Sequence, residues 1–372
     1  MAEKDGMRFR QYLAACCASM FSPLSRLLPK AAIRFGGFSA WLAPVFAALP
    51  LLLLVLSQHR LLHPNGETLG LAEALQRRTG RFFGGLLTAL LGVWLVFYGG
   101  FILRSGAERL LSTVYHSGRL AFFLPALMAL SAVMGVGRLR TAGRSATVLL
   151  LLFAAALALV FALAVPAVHS ENLWPPELTR FGDVALAALP VMDVLSPWAY
   201  FSFLRGSVTE DGRSLRQGVF GMLFMLLLAF LFLFSTVGIL GAELCLQLQY
   251  PFFTMTKNLT LFNVMERFDA VVVVLWMMTD YVCVGMVLLS ASEAFRSLFG
   301  KGERRAYAIP LAGAMLAAAF LLAPDAFRFA GISDRVVPAV NLCLTFVLLP
   351  LISLLPAKKI SKNFKKPVDK RK

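Results

Sequence analysis

Long apolar runs separated by short polar and basic segments set the pattern of this chain. A helix that crosses about 30 Å of hydrocarbon needs roughly 20 mostly apolar residues. By that criterion the sequence predicts ten transmembrane helices, of which the first and the sixth are the least hydrophobic. The predicted ranges are 11–29, 37–57, 82–103, 120–137, 146–167, 183–204, 217–241, 269–292, 306–323 and 337–356.

Basic residues concentrate in the segments that alternate spans place on one side of the membrane. Arg77, Arg138 and Arg213 are examples, and a lysine-rich tail follows the last predicted span. Positive loops favour the cytoplasmic side. The pattern therefore predicts one transmembrane domain, residues 1–357, with both termini cytoplasmic. It also predicts a basic cytoplasmic tail, 358–372, that contacts anionic lipids; docking to an acidic partner is the less favoured alternative.

Composition supports an integral membrane protein and disfavours other classes. The chain is 59% hydrophobic and 15% charged, with a mean hydropathy of +0.75. The formal net charge of +16 follows from the loop pattern, so we expect no nucleic-acid partner. The five cysteines show no CxxC spacing, and the four histidines have no metal-ligand pattern around them. Since catalytic motifs are also missing, we expect no enzyme activity, no metal and no cofactor.

The two weakest spans share a Ser-Pro step, Ser22-Pro23 in the first and Ser196-Pro197 in the sixth. Proline removes an amide donor and disturbs the preceding turn. Interruptions at matching positions of two five-helix halves are typical of inverted-repeat transporters, whose broken helices build a binding site near the membrane midplane. We therefore predict an all-α protein with repeats at about 11–167 and 183–356. Two ordinary proline kinks are the alternative.

Two carboxylates fall at membrane depth, Asp193 beside the second Ser-Pro step and Asp280 in the eighth span. Such residues are costly in lipid and normally face the interior of a helix bundle. Each is a candidate for binding a ligand ammonium group or a coupling proton. The alternatives are a helix cap for Asp193 and a structural hydrogen bond for Asp280. The predicted ligand-binding set is Ser22, Pro23, Ser25, Tyr98, Asp193, Ser196, Pro197, Trp198, Asp280 and Tyr281.

One local motif resembles the spore germination permease family, the B-subunits of nutrient germinant receptors. It comprises Tyr250-Pro251, the run Glu266-Arg267-Phe268-Asp269, and Trp276 inside the eighth span. The family is similar to a branch of the amino acid–polyamine–organocation superfamily. This chain departs from the family's glycine-rich step in the first helix, where it carries Ser22-Pro23-Leu24-Ser25-Arg26.

The resemblance implies a nutrient-sensing membrane subunit that works with an A-subunit and a lipoprotein C-subunit in the spore inner membrane. An amino acid or a similar small nutrient would bind between the first, third, sixth and eighth spans. A secondary active transporter of amino acids or cations, coupled through Asp193 or Asp280, is the alternative function. A membrane scaffold that transports nothing is a weaker third one.

Overall fold

The computed structural model describes residues 6–115, 118–174, 181–210, 212–259, 268–300 and 302–357, and these are almost entirely helical. The basic tail, 358–372, and Glu266 and Arg267 of the family motif lie outside this description. The first half contains helices α1 Phe9–Arg26, α2 Leu28–Gly36, α3 Ala43–Leu62, α4 Leu71–Thr79, α5 Arg81–Thr113, α6 Leu120–Val136 and α7 Leu139–Ala164. The second half contains α8 Phe181–Leu186, α9 Ala188–Leu195, α10 Pro197–Tyr200, α11 Ser214–Leu240, α12 Ala242–Gln247, α13 Pro251–Lys257, α14 Phe268–Phe299, α15 Arg304–Leu321, α16 Ala326–Gly331, α17 Val337–Leu342 and α18 Leu349–Leu354.

Several helical segments are long and apolar enough to cross a membrane. Within the described ranges there are seven of them, at 28–62, 81–113, 139–167, 181–207, 214–240, 270–299 and 326–354, and α6 is a shorter apolar helix. Large apolar side chains such as Leu49, Phe82 and Leu321 project outward and are 68%, 77% and 84% exposed. An apolar exterior of this kind suits a lipid environment. The ten-span prediction further requires α1, α6 and α15 each to form a span.

The first helix does not break where the sequence predicted. Helix α1 runs through Ser22-Pro23 without interruption and ends at Arg26. The one-residue interruption lies at Leu27, whose backbone remains right-handed helical and whose amide donates to the Pro23 carbonyl at 2.9 Å. Pro23 has no amide hydrogen to donate to the preceding turn, whereas its carbonyl still accepts a hydrogen bond from the following turn. The location predicted from Ser22-Pro23 is therefore wrong by one helical turn.

The sixth predicted span is divided into α8, α9 and α10, followed by a 3₁₀ helix at Phe201–Ser207. Between α9 and α10, the Ser196 amide donates to the Asp193 carbonyl at 3.1 Å, a 3₁₀-type bond. Because proline has no amide donor, the sequence predicts that the Asp193 carbonyl lacks its usual helical partner and faces a gap. The structure corrects this expectation, because the amide one residue earlier replaces the missing donor and the chain tightens without unwinding.

The remaining elements are a short two-stranded sheet and the last helical segment. Met7–Arg8 forms strand β1, which pairs in parallel with β2, Val208–Thr209, so that Met7 lies opposite Val208. Helices α16, α17 and α18 form one continuous helical segment, joined by π-helical turns at 332–336 and 343–348.

A buried arginine closes the bundle where α3 and α18 end. The Arg78 guanidinium donates to the carbonyls of Ser353, Leu355 and Arg60. Carbonyls in the last turn of a helix lack intrahelical donors, so one side chain here satisfies groups from two helix ends.

Helix α14 lies at the centre of the packing and contacts α1, α5 and α6. Glycines permit the close approach of α6, since a Cβ at Gly135 or Gly285 would lie within 3 Å of Leu288 or Met134. Polar side chains on α1, α5 and α14 consequently lie close together inside the apolar bundle.

Candidate functional site

Helix α5 extends to Thr113, beyond the predicted end of the third span at residue 103, and the extension carries Arg109. Arg104, at the start of the extension, donates to the Glu108 carboxylate at 2.6 Å within the same helix. Both arginines are buried. Charges that are paired inside a bundle let a helix continue where hydropathy alone predicts its end. The predicted boundary, which put these arginines at the outer end of the span, is wrong for this reason.

Arg109 joins α5 to α1 and α14. Its guanidinium forms an ion pair with Asp280, and its Nη1 donates to Ser22 Oγ at 3.0 Å. The guanidinium carbon also lies 4.6 Å from the ring centroid of Trp276, a cation–π contact. The Arg109 side chain has no exposed surface and that of Asp280 is 6% exposed. Asp280 and Ser22, both predicted site residues, therefore meet on one buried cation.

A second contact ties α14 to α1 beside this ion pair. Trp276 Nε1 donates to Ser25 Oγ at 2.6 Å. Ser25 in turn donates to the backbone carbonyls of Phe21 and Ser22, at 3.0 and 3.2 Å. Hydroxyls that bond backward to their own helix are common next to disturbed turns, and here the disturbed turn is that of Pro23.

Arg26 completes a group that we call the charged cluster, formed by Arg26, Arg109, Asp280 and the side chains that contact them. Arg26 is 2% exposed and lies within electrostatic reach of both Arg109 and Asp280. Within the described part of the chain, none of its guanidinium nitrogens has a hydrogen-bond partner. The second carboxylate oxygen of Asp280, Oδ1, is likewise unpartnered there.

The space beside the charged cluster is small and apolar. A cavity of about 20 Å³ borders Ser25 and Trp276 and is otherwise lined largely by the aromatic rings of Phe21, Phe153, Phe232 and Phe252. This volume accommodates about one water molecule, whereas small-molecule pockets typically enclose roughly 300–1,000 Å³. The structure is therefore closed around the cluster.

Asp193 belongs to a separate polar network between α9 and α17. Its Oδ1 accepts from the Asn341 amide at 2.8 Å. The Asn341 carbonyl oxygen accepts from Trp94 Nε1 at 3.1 Å and from the Tyr200 hydroxyl at 2.9 Å. Asp193 is 8% exposed and is turned into the bundle.

Tyr98 packs against the Asp193 network. Its ring centroid is 6.4 Å from those of both Trp94 and Tyr200. Asp193 and Arg26 are both within electrostatic reach of its phenol.

Trp198 lies away from Asp193, although both belong to the predicted ligand-binding set. It lines a different cavity with Tyr12, Gln58 and Arg205, and its ring packs beside Gly221 of α11. Five residues along a helix turn the side chain by about 140° relative to the first, which explains the separation. Beside it, the predicted step residue Ser196 is fully buried and its hydroxyl is unpartnered within the described chain, whereas Pro197 opens α10.

Tyr281 follows Asp280, and both residues line one small cavity together with Gly106, Leu127 and Ser131. Tyr281 is half-buried there, and its hydroxyl interacts with Ser145 of α7. The structure therefore groups Ser22, Ser25 and Asp280, places Tyr281 in a cavity beside Asp280, and leaves Trp198 in separate surroundings.

Four polar residues that contact or neighbour the predicted site residues were not predicted from the sequence: Arg26, Arg109, Asn341 and Trp94. A usable signal existed for Arg109, because the Arg104–Glu108 spacing indicates a continuing helix. Asn341 lay inside the predicted tenth span, and an amide at membrane depth indicates an interhelical hydrogen bond.

Comparison with known proteins assigns the family. The sequence pattern described as "spore germination protein" matches residues 24–326, most of the chain. The chain belongs to the spore germination permease family. It is accordingly an integral, multi-pass membrane protein of permease type and not an enzyme. No curated protein sequence matches it.

Solved structures agree on the fold. The chain is similar to the crystal structure of MhsT in complex with L-phenylalanine, a transporter of the LeuT fold. The TM-score is 0.65 over 91% of this chain and 87% of that one, at 15% sequence identity. This spore germination permease thus shares its fold with that transporter structure.

Proposed function

We propose that this permease is the nutrient-sensing membrane subunit of a spore germinant receptor. The support is its family membership over residues 24–326 together with a fold shared with a transporter. In this proposal ten spans form two inverted repeats, about 11–167 and 183–356, and both termini are cytoplasmic. The receptor would lie in the spore inner membrane, with an A-subunit and a lipoprotein C-subunit as partners.

The charged cluster is the observation that carries the proposed ligand site. It lies where α1, α5 and α14 meet, which are the first, third and eighth spans of the proposed topology. Unused hydrogen-bonding groups on Arg26 and Asp280 are costly in a buried place unless something binds there. Tyr98 extends the site toward Asp193 on the sixth span.

The proposed contact residues follow from this geometry. Ser22, Ser25 and Asp280 form the part nearest the charged cluster, and Tyr98 with Asp193 forms the second part. Pro23, Ser196 and Pro197 act through the backbone at the helix interruptions. Tyr281 shares a small cavity with Asp280, whereas Trp198 would contact a ligand only after a rearrangement of the helices around it.

In this proposal the protein senses a nutrient through a change between a closed and an open state of the site. Because the cavity accommodates about one water molecule, a nutrient can bind only to a more open conformation. A ligand that binds the open state better shifts the equilibrium toward it, and the partner subunits would read that shift.

Secondary active transport is the second candidate function, favoured by the transporter fold and by the buried Asp193 carboxylate. Proteoliposomes containing the purified chain separate the two functions. Gradient-driven accumulation of an amino acid or cation supports transport, whereas binding without accumulation supports sensing.

Germination assays test the receptor proposal directly. Spores that carry Asp193→Asn are expected to lose most of their response to the nutrient while keeping the protein level of the wild type, because the amide preserves the shape of the carboxylate. Asp334→Asn, which changes an exposed carboxylate, is the matched control and should respond normally. Deletion spores that germinate normally toward every nutrient would contradict the proposal.

A further inference from the structure

Among the residues that the structure describes, Arg26 carries a buried charge without a hydrogen-bond partner. Other buried arginines in the described chain have clear partners: Arg109 pairs with Asp280, Arg104 with Glu108, and Arg78 with backbone carbonyls. Arg26 is as buried as these, yet all three of its nitrogens are unpartnered among the described residues. An unpaired buried charge is strongly unfavourable, so this arrangement needs a reason.

The local charge balance points to what is missing. Two guanidinium groups, Arg26 and Arg109, share the single carboxylate of Asp280. That carboxylate is already committed to Arg109 through one oxygen. The other ionisable groups that act on Arg26, Tyr250 and Cys283, are neutral in their ordinary states. Counted over the described residues, the charged cluster therefore carries one uncompensated positive charge.

We propose that Arg26 binds the carboxylate of a ligand, and that the site prefers a net anion to a zwitterion. This inference rests on the proposed function, because it names the ligand class of that same site. The planar guanidinium fork matches a carboxylate with two parallel hydrogen bonds. A monoanion neutralises the cluster completely, whereas a zwitterion brings a positive charge with it and leaves the excess in place.

The neighbouring cavity indicates the rest of the ligand. Ser25, the residue before Arg26, borders the cavity that is lined by Phe21, Phe153 and Phe252. An apolar or aromatic substituent matches such a lining, and opening of this cavity would admit it. The inferred ligand is a carboxylic acid with an apolar side chain.

Isosteric ligand series provide the test on the unmodified, full-length protein in lipid nanodiscs. The first series is 3-phenyllactate, phenylalanine and phenylalaninamide, and the second is lactate, alanine and alaninamide. Within each series the shape is nearly constant while the net charge runs from negative through neutral to positive. A ligand that binds the folded state raises the unfolding temperature by mass action. We expect the largest rise with an anion, a smaller rise with a zwitterion, and none with an amide, at constant ionic strength.

Arg26→Met separates binding from folding. It replaces an unpaired buried charge with an apolar side chain of similar length, so the ligand-free unfolding temperature should rise. At the same time the affinity for the stabilising carboxylate should fall by about ten- to a hundredfold. Arg34→Gln removes an equal charge from an exposed position on α2 and should change neither quantity.

Four outcomes overturn the inference. An amide that stabilises as well as its acid rules out carboxylate recognition, and chloride that stabilises equally makes the occupant an inorganic anion. An Arg26→Met protein that is less stable shows that Arg26 has a partner within the chain. A panel in which no carboxylate stabilises the protein also refutes it. In that last case the receptor proposal would still stand if wild-type spores germinated in response to a nutrient and deletion spores did not.

Discussion

Removing the Asp280 carboxylate is expected to destabilise the protein strongly. Asp280→Asn leaves Arg109 buried with no exposed side-chain surface and without its charged partner. Breaking a buried ion pair from one side costs about 3–5 kcal/mol, because the remaining charge is uncompensated. Arg26 is already unpaired beside it, so two like charges would then share one low-dielectric site. We expect a loss toward the upper end of that range.

Two comparisons show whether the loss comes from the unpaired cation. Asp334→Asn disrupts a pair with Arg34 in which both side chains are more than 40% exposed, and exposed pairs contribute at most about 1 kcal/mol. The double variant Asp280→Asn/Arg109→Gln removes both charges of the buried pair. It should recover much of the stability that the single variant loses, which a double-mutant cycle measures as a coupling energy.

Equilibrium unfolding of the purified protein in mixed micelles provides these free energies. Tryptophan fluorescence is a suitable signal, since Trp276 lies against the Arg109 guanidinium. Equal losses for Asp280→Asn and Asp334→Asn would refute the reasoning. A second refutation would be a double variant whose loss of stability equals the sum of the losses of Asp280→Asn and Arg109→Gln alone. The ion pair would then contribute no coupling energy.

Three further predictions concern other parts of the molecule. Gly106→Ala puts a Cβ 2.7 Å from the Asp280 carboxylate and should abolish the germination response, whereas Gly85→Ala meets nothing within 4 Å and should be neutral in the same assay. Arg78→Gln should lower the unfolding free energy by about 2–3 kcal/mol, because helix-terminal carbonyls lose a charged donor. Partial burial alone would raise the pKa of Glu210, but hydrogen bonding to His63 and the Arg205 charge lower it to about 2. Its stabilisation, about 1–2 kcal/mol, should therefore be present above pH of about 4.3 and fade as pH falls toward 2; a Glu210→Gln variant whose unfolding free energy keeps the wild-type pH dependence would contradict this.

The sequence located the apolar helices well because hydropathy is a local property. The predicted fourth span, 120–137, and the observed α6, 120–136, nearly coincide. The eighth span failed only at its end, where α14 continues to Phe299 through Glu293 and Arg296, which pair with each other. Local hydropathy was sufficient to predict the bounds of a helix wherever its residues are apolar and face lipid.

The site was only partly predictable because its contacts are long-range. Arg109 and Asp280 are 171 positions apart, so nothing near Arg109 in the sequence indicates its partner. A hydropathy window predicts the end of a span at an arginine, although a helix can continue through an arginine that is paired inside the bundle. Hydropathy and the paired Ser-Pro steps predicted the fold class, and the family resemblance implied the same class. The departure from the family pattern at Arg26 was visible in the sequence. That Arg26 lacks a hydrogen-bond partner among the described residues could be learned only from the three-dimensional packing.

The small cavity beside the charged cluster has a kinetic consequence. If the proposed ligand binds here, space for about one water molecule means that it cannot enter the site in the closed state. At high ligand concentration the observed association rate should consequently reach a plateau equal to the opening rate of the helices, which for collective motions falls in the microsecond-to-millisecond range. The delay before a signal would then be set by the protein's own fluctuation rather than by how much nutrient surrounds it.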